Sequence, residues 1–334
     1  MSALLEERPP ATASARPGLR GPLLVSVRQH RTALLIGAGA LVAAVLVLVA
    51  YRIWIGSVAD DFAATGCALS GPDRPECFPK FRDFDDDMFA FDRALTYGSY
   101  VLQFLPGVLG AFVAGPVIAR ELESGTYKLA WTQSMSPARW LASKLLPLAV
   151  PGLLLVALLT VVRAWAASSV PGSTPYPEKP WYELTTYLSL GTAPVAYSLL
   201  GIAAGALVGL LVGRTVPAMS VALLVLGGVF LAMNRVRDRL WPTKAATSPL
   251  DGYPKTGRTA WTRDNGLLDA DGDRLPDMNC EVACQAKRGA TARYLDYHPE
   301  SHFWPIQLVE TGIVLALATA CVFAAFAVLR RRHG

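Results

Sequence analysis

Six long, mostly apolar and nearly uncharged stretches divide this chain of 334 residues. A helix of about 20 such residues crosses a hydrocarbon core of ~30 Å. Lipid offers the backbone no hydrogen-bond partners, so helices are the natural spanning structure. A buried helix in a soluble core explains one such stretch but not six. The sequence therefore predicts an all-α integral membrane protein with six transmembrane helices, at 32–55, 97–119, 143–166, 185–213, 215–234 and 305–329.

The short connections predict the orientation of the chain. The first span begins too late and runs too long for a cleaved signal peptide, so it is retained. Basic residues cluster in the arm before the first span, in the connections after the second and fourth spans, and at the C-terminus, whereas residues 56–96 are acidic. Positive charge on short connections marks the cytoplasmic side. We expect a multi-pass protein of the bacterial plasma membrane with both termini in the cytoplasm.

These spans divide the chain into four parts. An outer loop at 56–96 and a polar hinge at 120–142 interrupt the first five spans. The 70-residue loop between spans five and six is long enough for a fold of its own. The predicted parts are a cytoplasmic tail with an interfacial helix (1–31), spans one to five (32–234), an extracytoplasmic loop domain (235–304), and the sixth span with a basic cytoplasmic tail (305–334).

Four of the five cysteines lie in the predicted outer loops, where an oxidising environment favours disulfides. Cys67 and Cys77 lie in the first of these loops, and Cys280 and Cys284 lie in the third. Pairing within a loop is the simpler assignment for Cys67 with Cys77, and pairing between loops stays open. Cys280 and Cys284 need a turn between them to meet disulfide geometry. Free thiols are the alternative.

The fourth predicted span carries a glycine at every fourth position: Gly201, Gly205, Gly209 and Gly213. This spacing places the four on one helix face, where a neighbouring backbone can approach closely. Packing inside one subunit is the favoured interpretation, and a contact between subunits is the alternative.

An acidic run in the large loop raises the question of a metal. Its members are Asp269, Asp271, Asp273 and Asp277, arranged around Gly272. Calcium loops place carboxylates at alternate positions, but here the glycine comes too early and the closing glutamate is missing. A β-turn at Asp271–Gly272 explains the same residues without a metal, and it is the preferred reading.

Glu310 lies inside the sixth predicted span. A carboxylate at this depth is costly unless it is paired or hydrated, so an intramembrane carboxylate is a candidate for the substrate pathway. Arg163, near the outer end of the third span, is its candidate partner. The alternative is a carboxylate close enough to the membrane surface to stay hydrated.

Recognised catalytic motifs are missing from the sequence. It contains no G-x-x-x-x-G-K-[ST] loop for nucleotide phosphates, no H-E-x-x-H zinc motif and no G-x-S-x-G nucleophile elbow. A membrane-embedded enzyme is therefore disfavoured. The basic residues divide between the two membrane sides, which argues against a nucleic-acid partner.

The hinge carries the most informative motif of the chain. A Gly-Pro pair precedes R-E-x-E-x-G-T, and W-T-Q-S-x-S-P-x-R-W-x-x-x-K leads into the third span. Gly125 permits a sharp change of direction, Thr126 can cap the following helix, and Trp131 and Trp140 suit the headgroup level. This hinge, with the six-span layout and the F-W-P-I-Q-L-V-E-T-G run before the last span, resembles the permease subunit of type-2 ABC exporters, especially their actinobacterial branch.

The resemblance implies a permease that binds no cofactor itself, with ATP and magnesium on a separate ABC ATPase present in two copies. It also implies a second permease, identical or homologous. The positions that match the coupling helix of the family, which docks on the ATPase, are Arg120, Glu121, Glu123, Gly125 and Thr126. The implied function is export by alternating access. The rival from another class is a non-transporting receptor or assembly protein whose outer loop binds a ligand.

Overall fold

The computed structural model describes residues 20–68, 74–128, 136–168, 179–257, 259–276 and 280–333. Within these ranges, six helices are long and apolar enough to cross a membrane, which confirms the predicted all-α class. The helices are α1 (Arg20–Gln29), α2 (Arg31–Ala64), α3 (Cys77–Gly107), α4 (Gly115–Ser124), α5 (Pro137–Ala167), α6 (Leu184–Tyr187), α7 (Ala193–Val212), α8 (Thr215–Val236), α9 (Val282–Lys287) and α10 (Phe303–His333).

The alternating direction of the spans gives the molecule two ends. We call the end that holds the hinge and the turn at 213–214 the hinge end. The other end holds residues 65–76, 179–192 and 237–302, and we call it the sheet end because a small sheet forms there. Both terminal helices, α1 and α10, reach the hinge end, as expected for an even number of spans.

The connection between the first two spans is shorter than predicted. Residues 56–96 are mostly helical, because α2 continues to Ala64 and α3 already begins at Cys77. The 34 residues of α2 measure about 51 Å, well beyond the ~30 Å that a bilayer core needs. The Cys67–Cys77 disulfide joins the two helices with a Cα separation of 5.7 Å. Phe62 stacks on Phe84 at 4.4 Å between ring centroids and continues the pairing.

The second span contains a π-helical segment. Pro106 lies inside α3, where it lacks the backbone N–H of an ordinary residue, and Val108–Ala114 follows as π-helix. Gly115 then donates its N–H to the Gly110 carbonyl, five residues back, and Pro116 lies in the first turn of the next α-helix, α4. The second span is therefore one continuous helical run with a π-segment between Pro106 and Pro116.

The glycine ladder packs inside the subunit. A Cβ on Gly201 or Gly205 would collide with the backbone carbonyl of Pro106 or Gly110, and one on Gly209 would lie 2.7 Å from the Gly115 oxygen. Helix α7 therefore presses directly on the backbone of α3, the π-segment and α4. Gly213 differs from the other three, because it ends α7 in the left-handed conformation at φ +63°.

The large loop forms a four-stranded antiparallel sheet in the order β1-β4-β2-β3. Its strands are β1 (Lys244–Pro249), β2 (Trp261–Leu268), β3 (Arg274–Leu275) and β4 (Ala292–His298). Trp181, near α6, packs edge-on against Trp261 and Phe303 and donates its Nε1–H to the Thr259 carbonyl at 2.8 Å. This aromatic cluster fastens the sheet to the helical body.

Two predictions concern the sheet. The second disulfide joins Cys280 to Cys284. Cys280 lies at a bend just before α9, and Glu281 between the bend and the helix is extended, so the chain turns between the two sulfurs. Asp269 accepts the N–H groups of Asp271 and Asp273, and Gly272 takes φ +87°, which is a turn between β2 and β3. Asp277 lies outside the described residues, and within them no group of three metal-ligating side chains is assembled.

Candidate functional site

The hinge begins with a tight reversal after α4. Helix α4 ends at Ser124, and Gly125 caps it in the left-handed conformation, at φ +73°. Thr126 turns back toward this cap, with its hydroxyl 3.5 Å from the Glu121 carbonyl and 3.0 Å from the Ser124 hydroxyl. The next helical turn starts at Tyr127. Residues 129–135, including Trp131, lie outside the described part of the chain.

Glu121 fastens the hinge to the start of α5. Its carboxylate accepts the indole N–H of Trp140 at 3.0 Å and forms a salt bridge with Lys144. Trp140 is only 1% exposed, so the expected role as an anchor at the headgroup level is wrong. The indole is instead a buried donor that fixes the position of α4 relative to α5.

Glu123 fastens the hinge to the start of α8. One of its carboxylate oxygens accepts both the backbone N–H of Thr215, at 3.0 Å, and the Thr215 hydroxyl, at 2.7 Å. The N-terminus of a helix has unsatisfied N–H groups and a positive dipole end, so a carboxylate is favourable there. Glu123 thus caps a helix that begins 92 residues later in the chain.

The remaining hinge charges face outward. Arg120 and Lys128 are exposed at the hinge end, one on each side of the Gly125 reversal. The resemblance placed Glu121 and Glu123 in the contact with the ATPase, but both carboxylates are bonded within the chain. The hinge therefore divides its residues between internal braces and an outward basic surface.

A second polar group lies at the sheet end, buried between three helices. Glu310 on α10 is fully buried, and Arg237, just after α8, contacts both of its oxygens at 2.8 and 3.0 Å. The Tyr197 hydroxyl on α7 donates to the same carboxylate at 2.7 Å. The Arg237 guanidinium also lies 4.3 Å from the ring centroid of Tyr187. This set of contacts, which we call the Glu310 cluster, ties α7, α8 and α10 together.

Gln307 extends this cluster by one turn of α10. Its side-chain oxygen accepts the backbone N–H groups of Thr192 and Ala193, both at 3.1 Å, and so caps α7. Its amide nitrogen donates to the carbonyls of Tyr187 and Leu190 at 2.9 and 3.1 Å. Since Gln307 is fully buried, these bonds satisfy a polar group that would otherwise be costly.

The predicted partner of Glu310 is wrong. Arg163 is buried elsewhere, with its Nε donating to the Ser99 hydroxyl at 3.2 Å. The alternative of a hydrated carboxylate also fails, because Glu310 is both buried and ion-paired. Sequence reasoning missed Arg237, which was assigned to the loop domain. The sequence did contain a clue, because Arg237 follows directly after the predicted fifth span. An arginine at the end of a span can reach a carboxylate inside a neighbouring span and pair with it.

A histidine pair joins the sheet to the Glu310 region. His298 ends β4 and is fully buried, with Nε2 3.0 Å from the Asp238 carbonyl and Nδ1 3.0 Å from His302 Nδ1. Burial lowers the pKa of the His298 imidazole below its usual value; the Asp238 carbonyl opposes this shift, and the nearby Arg263 adds to it. The imidazole is therefore neutral at pH 7. Both histidines are buried, although they lie in the predicted outer loop.

A cavity of about 260 Å³ lies beside the Glu310 cluster, between α3, α7 and α8. Tyr197 forms part of its wall and connects it to Glu310. Gln103 also lines it, and the side-chain oxygen of Gln103 is buried without a hydrogen-bond partner. The rest of the wall is apolar apart from backbone groups near Pro106, so the cavity suits an apolar group that carries one hydrogen-bond donor.

The chain was compared with known proteins. The family described as "ABC-2 membrane transporter related" matches residues 38–237, which run from the first part of α2 to just past α8 and include the hinge. Comparison with curated proteins and with solved structures gave no match.

Proposed function

Because the chain belongs to the ABC-2 membrane transporter related family, we propose that it is the permease subunit of an ATP-driven exporter. The family and the six apolar helices make it a multi-pass membrane protein and a transporter membrane subunit. Direction of transport, mechanism and partner are the parts that we propose.

The bracing of the hinge carries this proposal. A coupling element must contact the ATPase and transmit its movement to the membrane spans. The hinge is bonded to α5 through Glu121 and to α8 through Glu123, and α4 is continuous with the second span. A displacement at Gly125 therefore acts on three spans at once.

The proposed mechanism is alternating access. Two copies of a separate ABC ATPase bind ATP and magnesium, close on each other and push the hinges of two permeases. The helix bundles then rock, and a substrate bound between the two permeases is released outward. This chain supplies no nucleotide site, and its second permease is an identical or homologous subunit.

The proposed orientation places the hinge end and both termini in the cytoplasm of a bacterium. The exposed basic residues at that end support it, since positive charge favours the cytoplasmic side. The two disulfides support it as well, because they lie at the opposite end, where an oxidising medium would preserve them.

Charge reversal on the outward surface of the hinge tests the proposal. The full-length chain, extracted in mild detergent from its native host, should co-purify with an ABC ATPase. The amount of ATPase that co-purifies with the double variant Arg120→Glu/Lys128→Glu should be at least tenfold lower. The variant reverses the charge of the proposed docking surface and leaves the bonds of Glu121 and Glu123 intact. The matched control is the double variant Arg235→Glu/Arg239→Glu, which makes the same change of charge on two exposed residues at the sheet end.

Each outcome decides between the two functions. Loss of ATPase with the double variant and not with the control supports the transporter. If the unmodified chain, the double variant and the control all co-purify with the same amount of ATPase, or if none of them does, the ATPase does not dock at the hinge. A cellular activity that persists when ATP hydrolysis is blocked favours the receptor or assembly role instead.

A further inference from the structure

A second and larger cavity lies between α2, α3 and α5, away from the Glu310 cluster. Its volume is about 540 Å³, within the ~300–1,000 Å³ typical of small-molecule sites. Lining residues extend from Phe89 to Leu102 on α3, which corresponds to about 20 Å along the helix axis. The cavity is therefore elongated and runs parallel to the spans.

The two ends of this cavity differ in chemistry. Toward the hinge end its wall is aliphatic, with Leu48, Val101, Leu102 and Leu159. Helices α2 and α5 run toward the sheet end and α3 runs away from it, so all three helices place these residues on the same side. The deep part of the cavity thus resembles the hydrocarbon core that surrounds it.

Toward the sheet end the wall becomes cationic and aromatic. Arg163 on α5 is only 6% exposed, and its Nε donates to Ser99 at 3.2 Å. Arg93 on α3 lies nearer the mouth, with its guanidinium 4.6 Å from the ring centroid of Phe89. Tyr51 and Tyr97 complete this part of the wall. Among the described residues that line the cavity, two are cationic and none is acidic.

The carboxylate that lies beside Arg163 is itself paired with a lysine. Asp92 borders Arg163 from the neighbouring polar pocket, but Lys179 lies 3.8 Å from the Asp92 carboxylate and offsets it. Aromatic and basic side chains gather where spans meet the headgroup layer. Arg93 and Arg163 lie close to the sequence-predicted ends of the second and third spans, residues 97 and 166, where headgroups are expected.

We propose that this cavity binds one anionic lipid from the leaflet at the sheet end. The phosphate of the headgroup would accept charge-assisted hydrogen bonds from Arg163 and Arg93, and one acyl chain would follow the aliphatic wall toward Leu102. Guanidinium groups suit phosphate because their donors form a planar fork. The site does not depend on the proposed transport function, since binding requires neither the ATPase nor a transported substrate.

Gly98 offers a way to fill the cavity without disturbing the fold. It lines the cavity, and a Cβ added there would meet no heavy atom within 4 Å. Gly98→Leu would occupy the space of the acyl chain and would also favour the helical conformation of α3. Gly39→Leu is the matched control, because Gly39 lies on α2 with equally open space and does not line the cavity.

Lipid retention can be measured by native mass spectrometry of the full-length protein in detergent. The probes are phosphatidylglycerol, phosphatidylcholine with the same acyl chains, and glycerol phosphate. We expect one tightly retained phosphatidylglycerol per chain. Arg163→Gln and Arg93→Gln should each weaken retention about tenfold, as expected for loss of a hydrogen bond to a charged group. Gly98→Leu should abolish retention, while Arg239→Gln and Gly39→Leu should leave it unchanged.

Three results would overturn the proposal. Equal retention of phosphatidylcholine would show that the arginines do not select an anion. Displacement of the lipid by glycerol phosphate alone would identify a soluble anion as the ligand. A change in oligomeric state with Gly98→Leu, with lipid still retained, would show that this face is an interface between subunits. Because Arg93 is exposed, Arg93→Gln keeps the test valid even if Arg163→Gln fails to fold.

Discussion

At the scale of single residues, the most consequential contact is the ion pair of Glu310 with Arg237. Both side chains are almost completely buried, at 0% and 3% exposure, and two hydrogen bonds join them. Removing one partner of such a pair leaves an uncompensated charge in a medium of low dielectric, whereas removing both does not. The pair therefore holds α8 against α10 only while it is complete.

Single and double substitutions should separate these two effects. Glu310→Leu should lower the free energy of unfolding by about 3–5 kcal/mol, because Arg237 is left buried without its counter-charge. The double variant Glu310→Leu/Arg237→Leu should recover at least half of this loss. Thermal unfolding of the purified protein in detergent, followed by tryptophan fluorescence, measures both. If the double variant were as unstable as the sum of the two single ones, the pairing would contribute nothing specific.

The same residues show which parts of the candidate sites could be predicted from the sequence. Glu310 was identifiable because a carboxylate inside an apolar span needs a partner. Arg237 was not, because choosing between it and Arg163 requires knowing which helices are neighbours, and helix adjacency comes from packing. The outward-facing part of the hinge was recognisable from its motif, whereas the internal bonds of Glu121 and Glu123 join segments that are distant in the sequence.

At the scale of secondary structure elements, the close contact between α7 and the second span organises the bundle. Gly201, Gly205 and Gly209 follow one another along α7, and each faces backbone atoms of the other span at Pro106, Gly110 or Gly115. The spacing predicted such an approach, and three of the four glycines make it within one subunit, whereas Gly213 ends α7. The π-segment was not predictable, because it depends on how the second span accommodates Pro106.

An alanine at the centre of this contact should test it. Gly205→Ala places a methyl group against the Gly110 backbone, which cannot move as a flexible side chain could, so we expect destabilisation by about 1–3 kcal/mol. Gly228→Ala is the matched control on α8, where a Cβ meets nothing within 4 Å, and it should be neutral or stabilising by up to ~1 kcal/mol. Equal unfolding temperatures for the two variants would contradict the close packing.

At the scale of the whole molecule, the two polar groups lie at opposite ends of the same helices. At the hinge end, Glu121 and Glu123 hold the starts of α5 and α8. At the sheet end, the Glu310 cluster holds α8 against α7 and α10. Helix α8 is fixed at both ends, so it is the element best placed to carry a movement of the hinge across the membrane to the sheet.

Loss of the Glu123 cap should therefore stop movement at the hinge end from reaching the sheet end, although the ATPase remains bound. In Glu123→Ala the ATPase should still bind, because Arg120 and Lys128 are unchanged, and ATP hydrolysis should continue. A fluorescent label on Arg235→Cys, with Cys321 replaced by serine, reports movement at the sheet end of α8 in the reconstituted complex. Its response to ATP and magnesium should fall about tenfold in Glu123→Ala and stay intact in Glu281→Ala, since Glu281 begins α9 without a side-chain cap bond. An undiminished response in Glu123→Ala would mean that force reaches the sheet by another route, with Glu121 and α5 as the remaining connection.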